Sequence, residues 1–414
     1  MNSNLAINGT GYVLVGDIAT LASKIAANAA GSYALAKSYD AKSDGTYTAA
    51  PITTEFAGSF TGLGNSIANV TIKAGSSKTG FFSAISESGV VRDFGLQHAK
   101  VTIPKRHSGQ MVLGALAGEN RGAIISSFAT GSLDATTYID DLSAGGLAGR
   151  STGLITGSHA DVKVTTPGNA YYNRIGGLVG FLDGTDNPSA ALLDSYASGS
   201  VRVPSFGSAG GLIGYVLQAT VARSHASGNV SGGQESRVGG LIGLDGYIGN
   251  IDSSFATGAV ATGSGRSHCY ASAGGLIGSV PGPGEVISNS YAMGSVNGGD
   301  QACVGGLFGD FAHTGATVQT SYSIGAVSGG TAAQVGGVIG RDKAKYTRAS
   351  DSYWDIDTSG TSQAVGNTNR HNGLKGLSTG EFMSQLPAGF DPKTWGQLPG
   401  INNGYPYLLA NPPQ

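Results

Sequence analysis

One five-residue phrase, two glycines, two apolar residues and a third glycine, recurs through the chain at a nearly constant interval. It reads Gly145-Gly146-Leu147-Ala148-Gly149 and returns at Gly176, Gly210, Gly239, Gly274, Gly305 and Gly336, with a degenerate earlier copy at Gly114. The steps from Gly114 onward are 31, 31, 34, 29, 35, 31 and 31 residues. A second phrase travels with it: Ser127-Phe128-Ala129, Ser158-His159-Ala160, Ser195-Tyr196-Ala197, Ser224-His225-Ala226, Ser254-Phe255-Ala256, Ser290-Tyr291-Ala292, Ser321-Tyr322-Ser323 and Ser352-Tyr353-Trp354. The two lie 13 to 19 residues apart, so length variation falls between them, as in a loop. A fixed period of about 30 residues signals a stacked repeat architecture.

Glycine decides what is stacked. In a helix interior each glycine costs about 1 kcal/mol relative to alanine, and every repeat holds several. No apolar stripe of helical spacing runs through the repeats, whereas small and apolar residues alternate in short runs such as Arg237-Val238-Gly239-Gly240-Leu241-Ile242. A propeller blade needs about 40–45 residues, and a leucine-rich repeat needs a register that is absent. The expectation is an all-β fold, a parallel β-helix of coils of about 30 residues with two or three strands each. Equivalent residues then form ladders: the leucines inside, and Phe128, His159, Tyr196, His225, Phe255, Tyr291, Tyr322 and Tyr353 as an aromatic column. The paired glycines are expected to turn the corners through positive φ.

The flanks are read as caps, so that residues 1–50 form an N-terminal cap and first coil, 51–110 irregular coils, 111–365 the repeat β-helix and 366–414 a C-terminal cap. Leu21–Ala27 has helical spacing after Thr20, a fair N-cap, and Ser378-Thr379-Gly380-Glu381 matches a capping box. Exposed coil ends present unpaired strand edges, which gives caps a purpose.

Only 12% of the 414 residues are charged, and the net charge of −2 argues against nucleic acid as a partner. No apolar run is long enough to span a bilayer, so no membrane insertion is expected. The first residues lack the basic and apolar regions of a signal peptide, which leaves a cytoplasmic chain or, preferred here, a piece of a larger exported precursor. Cys269 and Cys303 lie 34 residues apart, close to one period, so a bridge between neighbouring coils and two buried thiols are both open.

Val-Gly-Gly-Leu-Ile-Gly followed by Ser-Tyr-Ala-x-Gly resembles the GLUG motif of large bacterial surface and secreted proteins. These include filamentous-haemagglutinin-like adhesins exported by two-partner secretion and streptococcal IgA peptidases. The stretch Phe60-Thr61-Gly62-Leu63-Gly64-Asn65 resembles the segment that precedes such arrays, and Gly404-Tyr405-Pro406-Tyr407-Leu408 the one that ends them. The resemblance implies a right-handed β-helix located outside the cell or on its surface. It carries no catalytic residues.

No phosphate loop, His-Glu-x-x-His or close set of zinc ligands occurs, so no cofactor and no metal is expected. The chain is expected to be monomeric. Asp183, Asp245, Asp310 and Asp342 each follow the Gly-Gly phrase by a few residues, with Tyr215, Tyr247, Phe311, His313 and Arg341 nearby. Carboxylates about 5–10 Å apart are the machinery of glycoside hydrolysis, and tyrosines beside them suit sugar rings. Aspartate is also simply a favoured turn residue. The leading reading is a non-catalytic module of a secreted adhesin that binds a glycan or a host or bacterial surface protein, or serves as a stalk. Tyr215, Tyr247, Phe311, His313 and Arg341 are its candidate ligand-binding residues. The alternative is a carbohydrate-active enzyme, a glycoside hydrolase or polysaccharide lyase, using the four aspartates.

Overall fold

A computed structural model describes residues 5–73, 75–103, 109–135, 141–166, 172–247, 249–267, 269–312, 316–343, 348–369 and 373–413. It is 48% strand and 7% helix, a β-solenoid of about 10 turns. Each regular coil has five short strands rather than two or three. In one coil they are Arg237–Gly239 (face 1), Ile242–Asp245 (face 2), Asn250–Asp252 (face 3), Phe255–Ala256 (face 4) and Val260–Thr262 (face 5). Each pairs in parallel with its counterpart one coil on, where face 1 resumes at Ser272–Gly274.

The glycine pairs act differently from the expectation. Neither Gly239 nor Gly240 has positive φ. They are required because the backbone comes too close: a Cβ on Gly239 would stand 1.9 Å from the Ile242 carbonyl oxygen. One on Gly240 would stand 2.1 Å from the Gly275 carbonyl oxygen and 2.9 Å from the Ala256 Cβ. The alanine of the second phrase thus packs beneath the second glycine of the first. Positive φ falls instead on the residue before each serine: Asp194, Arg223, Ser253, Asn289, Thr320 and Asp351, at 43° to 50°. Aspartate and asparagine, which tolerate the left-handed region best among residues with a side chain, hold three of the six corners.

The serine that follows each corner explains its own recurrence. Ser224 N–H donates to Ser254 Oγ (3.2 Å), and Ser254 Oγ–H donates back to the Asp252 carbonyl (2.8 Å). The same pair of bonds runs from Ser127 through Ser158, Ser195, Ser224, Ser254, Ser290 and Ser321 to Ser352. All eight are buried, so the ladder satisfies amides at the corner where the strand hydrogen bonds stop. Inside, Leu147, Leu178, Leu212, Leu241, Leu276 and Leu307 are completely buried and form the aliphatic ladder.

Seven rings, Phe128 to Tyr322, stack on the outside of face 4 at centroid spacings of 4.6–5.1 Å and interplanar angles of 2–7°. Tyr353 continues the register. The column is amphipathic ring material on a surface, and the C-terminal residues cover half of it. Leu377, Phe382, Phe390, Trp395, Tyr405 and Leu408 pack on Phe255, Tyr291, Tyr322 and Tyr353. Asn411 reaches His225 Nδ1 (3.1 Å) and the Ser224 and Ser253 carbonyls. The expected end cap is therefore a strap running back along the side of the solenoid. The far end is finished by Val365 and Leu374–Leu377, which pair with the last coil.

At the other end the helix spans Ile18–Ala27, starting at Ile18 rather than Leu21 because Asp17, not Thr20, caps it: Thr20 N–H donates to Asp17 Oδ1 (2.7 Å). Ile18, Leu21 and Ile25 join the main core and plug the first coil. The capping box at Ser378 and Glu381 opens the helix Thr379–Ser384.

Candidate functional site

Outward residues of faces 1 and 2 line a groove of about 730 Å³ parallel to the solenoid axis. Strand alternation selects its floor. On face 2 the outward row runs Glu119, Arg150, Phe181, Tyr215, Leu244, Ser279, Asp310, Arg341. On face 1 the row contains Arg174, Ser208 and Arg237. The segments joining face 5 to face 1 bring Tyr172, Phe206, Glu235, Cys269 and Tyr270 to one wall, and Pro281, Ala312 and Lys343 come from the opposite side. From the Phe181 coil to the Arg341 coil is five steps, roughly 24 Å at the usual strand spacing.

Tyrosine and charge give the groove its character. Tyr172 and Tyr270 are 75% and 57% exposed. Phe181 and Tyr215 stack at 5.0 Å, and the Arg174 guanidinium lies 4.9 Å from the Phe181 centroid and 5.8 Å from that of Tyr215. Burial pushes the Tyr215 hydroxyl above its ordinary value. Arg174 is tied to Asp141 (2.5 Å) and Glu235 to Arg266 (3.2 Å). Arg237 and Lys343 have no carboxylate partner among the described residues. The Cys269 segment is anchored to face 1 by a disulfide to Cys303, with Cα atoms 4.9 Å apart. This resolves the open choice at those cysteines in favour of the bridge.

The four aspartates do not converge. Asp310 alone lines the groove, and both its oxygens are held by Arg341, Oδ1 by Nε (2.7 Å) and Oδ2 by Nη2 (2.9 Å). Asp342 lies on the next coil but pairs with Phe311, one residue out of register with Asp310. With a side-chain period of two, that offset sends it to the opposite face of the strand. Its backbone is bracketed by Asn367. Asp245 sits in the same inward row, opposite Val216, and is completely buried. Asp183 is held by Arg150 (2.6 Å) and Thr185 (2.7 Å). Burial works against its charge, but these bonds keep it below the usual carboxylate range.

Of the candidate ligand contacts, Tyr215 and Arg341 line the groove. Phe311 does not: it is completely buried and packs on Phe308 at 4.8 Å, because it shares the inward row. Tyr247 is exposed on the loop after face 2 but is not among the lining residues. His313 lies outside the described residues. Sequence reasoning missed Tyr172, Arg174, Arg237 and Tyr270. A signal for two of them existed, since Arg174 and Arg237 both stand two residues before a Gly-Gly pair, on the outward phase of face 1.

Among the described residues no helix is long and apolar enough to cross a membrane. No family model matches the chain. A 188-residue stretch, 43% of the chain, is 32% identical to halomucin of Haloquadratum walsbyi (strain DSM 16790 / HBSQ001), of whose length it spans 2%. Among solved structures, an IgA1 protease aligns over 66% of this chain and 20% of its own, with 19% identity and a TM-score of 0.44. A proposed immunoglobulin A1 protease from Bacteroides ovatus aligns over 97% and 93%, with 15% identity and a TM-score of 0.43.

Proposed function

We propose that this chain is a non-catalytic extracellular solenoid module, of the GLUG-repeat adhesin type, whose groove binds an elongated acidic glycan. The observation that carries the reading is the meeting of Tyr172, Tyr215 and Tyr270 in one groove with Arg237 and Lys343, cations without a carboxylate partner among the described residues. Tyrosine faces stack on sugar rings while their hydroxyls bond ring substituents. A guanidinium supplies bidentate recognition of a carboxylate or sulfate. The disulfide at the groove wall suits an oxidising compartment. Hydrolysis needs a carboxyl pair free to approach the glycosidic bond, and the groove aspartate, Asp310, is occupied on both oxygens.

The test is an array of uronic-acid, sulfated and neutral polysaccharides, read for both retention and new reducing ends. Retention of acidic glycans alone, lost at least tenfold in Arg237→Ala and Tyr270→Ala, is the expected result. Release of oligosaccharides, or binding indifferent to both substitutions, would overturn the reading.

A further inference from the structure

Behind the Pro281 wall of the groove lie two carboxylates with no cation to neutralise them among the described residues. Asp245 and Glu285 are both 0% exposed, and among the described residues none of their four side-chain oxygens has a hydrogen-bond partner. Register brings them together. Asn250 pairs with Val286, so Glu285 stacks on Gly249 one coil away. A Cβ on Gly249 would stand 2.7 Å from Asp245 Oδ1, which places the Asp245 carboxylate against that same position. Gly282 likewise leaves room beside Glu285, where a Cβ would meet Oε1 at 2.8 Å.

A backbone oxygen joins them. At this corner the carbonyl of each coil accepts from the amide one coil on: Gly246 N–H to Val216 O (2.8 Å), Ala312 to Val280 O (3.1 Å), Lys343 to Phe311 O (2.9 Å). The residue that would donate to the Asp245 carbonyl is Pro281, which has no N–H. Two buried negative charges and a donor-less carbonyl thus share one corner. An uncompensated buried charge is too costly to persist. Two protons would neutralise the pair only if both carboxyls stayed protonated at the working pH, whereas a divalent cation cancels both charges with the carboxylates ionised. Among the described residues no third His, Cys, Asp or Glu joins the pair, and the donors are all oxygens, which is the ligand set of a hard cation rather than of zinc.

We infer that Asp245 and Glu285, with the Asp245 carbonyl, hold a calcium ion that ties two neighbouring coils together beside the groove. Calcium accepts an irregular, oxygen-only shell completed by carbonyls and water. Affinity in the range of extracellular modules, about 10⁻⁴–10⁻³ M, is expected.

The test uses the full chain, stripped with chelator and titrated with CaCl₂ at pH 7.5, followed by melting temperature and by terbium luminescence sensitised by nearby tyrosines. The inference expects one ion per chain and a melting temperature that climbs with the logarithm of calcium concentration above the dissociation constant. Glu285→Gln should abolish both responses while melting no lower than the stripped parent, since it removes a repulsive charge. A melting temperature indifferent to calcium, with no bound terbium, would overturn it. So would a calcium response that survives in both Asp245→Asn and Glu285→Gln.

Discussion

Replacing Ser254 by alanine removes a single oxygen from a completely buried site, and the consequence can be worked from two bonds. Ser254 Oγ accepts the Ser224 N–H at 3.2 Å and donates to the Asp252 carbonyl at 2.8 Å. Alanine leaves the Ser224 amide buried with no acceptor, while the Asp252 carbonyl keeps the Arg223 N–H at 3.1 Å. One orphaned amide costs about 1–3 kcal/mol, and only one oxygen's volume is vacated, so little cavity cost is added. Ser328, exposed on face 5, is the matched control, and its alanine variant should stay within about 0.5 kcal/mol of the parent. Urea unfolding by circular dichroism should show Ser254→Ala with a lower midpoint and an unchanged slope. Ser195→Ala should behave alike, because it orphans the Ser158 amide in the same way (3.1 Å). If the Ser254 and Ser328 variants unfold together, the ladder is not what satisfies the corner.

Gly240→Ala should cost more than any serine variant, since its methyl would stand 2.1 Å from a carbonyl oxygen that is itself fixed backbone; thermal melts or failure to fold would register it. Reducing Cys269–Cys303, which closes a 34-residue separation, should lower stability by about 2–4 kcal/mol, checked by melting with and without a phosphine reductant. Burial holds His225 below the ordinary imidazole value, partly offset by Asn411. The folded chain therefore takes up its proton less readily than the unfolded one. Stability from this site is complete above about pH 6.5 and declines as pH falls below that. His225→Phe should flatten that decline in melts between pH 7 and pH 5.

The period, the parallel stacking, the leucine interior and the aromatic column were all legible in the sequence, because a ladder repeats its residues where it repeats its geometry. What the repeats concealed was the reason for each residue. Gly239 and Gly240 read as turn glycines but are close-approach glycines, and the turns went to Asp194, Arg223 and Ser253, a position whose residue changes from coil to coil and so leaves no repeated signal. The functional residues were harder still. Asp310 and Asp342 look equivalent at one residue of offset, yet that offset places one outside and one inside. Tyr172 and Tyr270 sit where the repeat varies in length, so periodicity had nothing to say about them.

The strap along face 4 changes what kind of polymer the solenoid is. A bare solenoid couples each coil only to its neighbours, some 30 residues away in sequence, and can fray coil by coil. Asn411 and His225 are 186 residues apart, and Tyr322 and Pro406 are 84 apart, so one segment fastens several coils at once. The strapped coils should therefore open as one cooperative block, whereas those bearing Phe128, His159 and Tyr196 keep neighbour-only coupling and exchange their amides first. Assembly inherits the same division. The strapped half closes its longest loops last, which makes it the slower half to complete and, once complete, the slower to come apart.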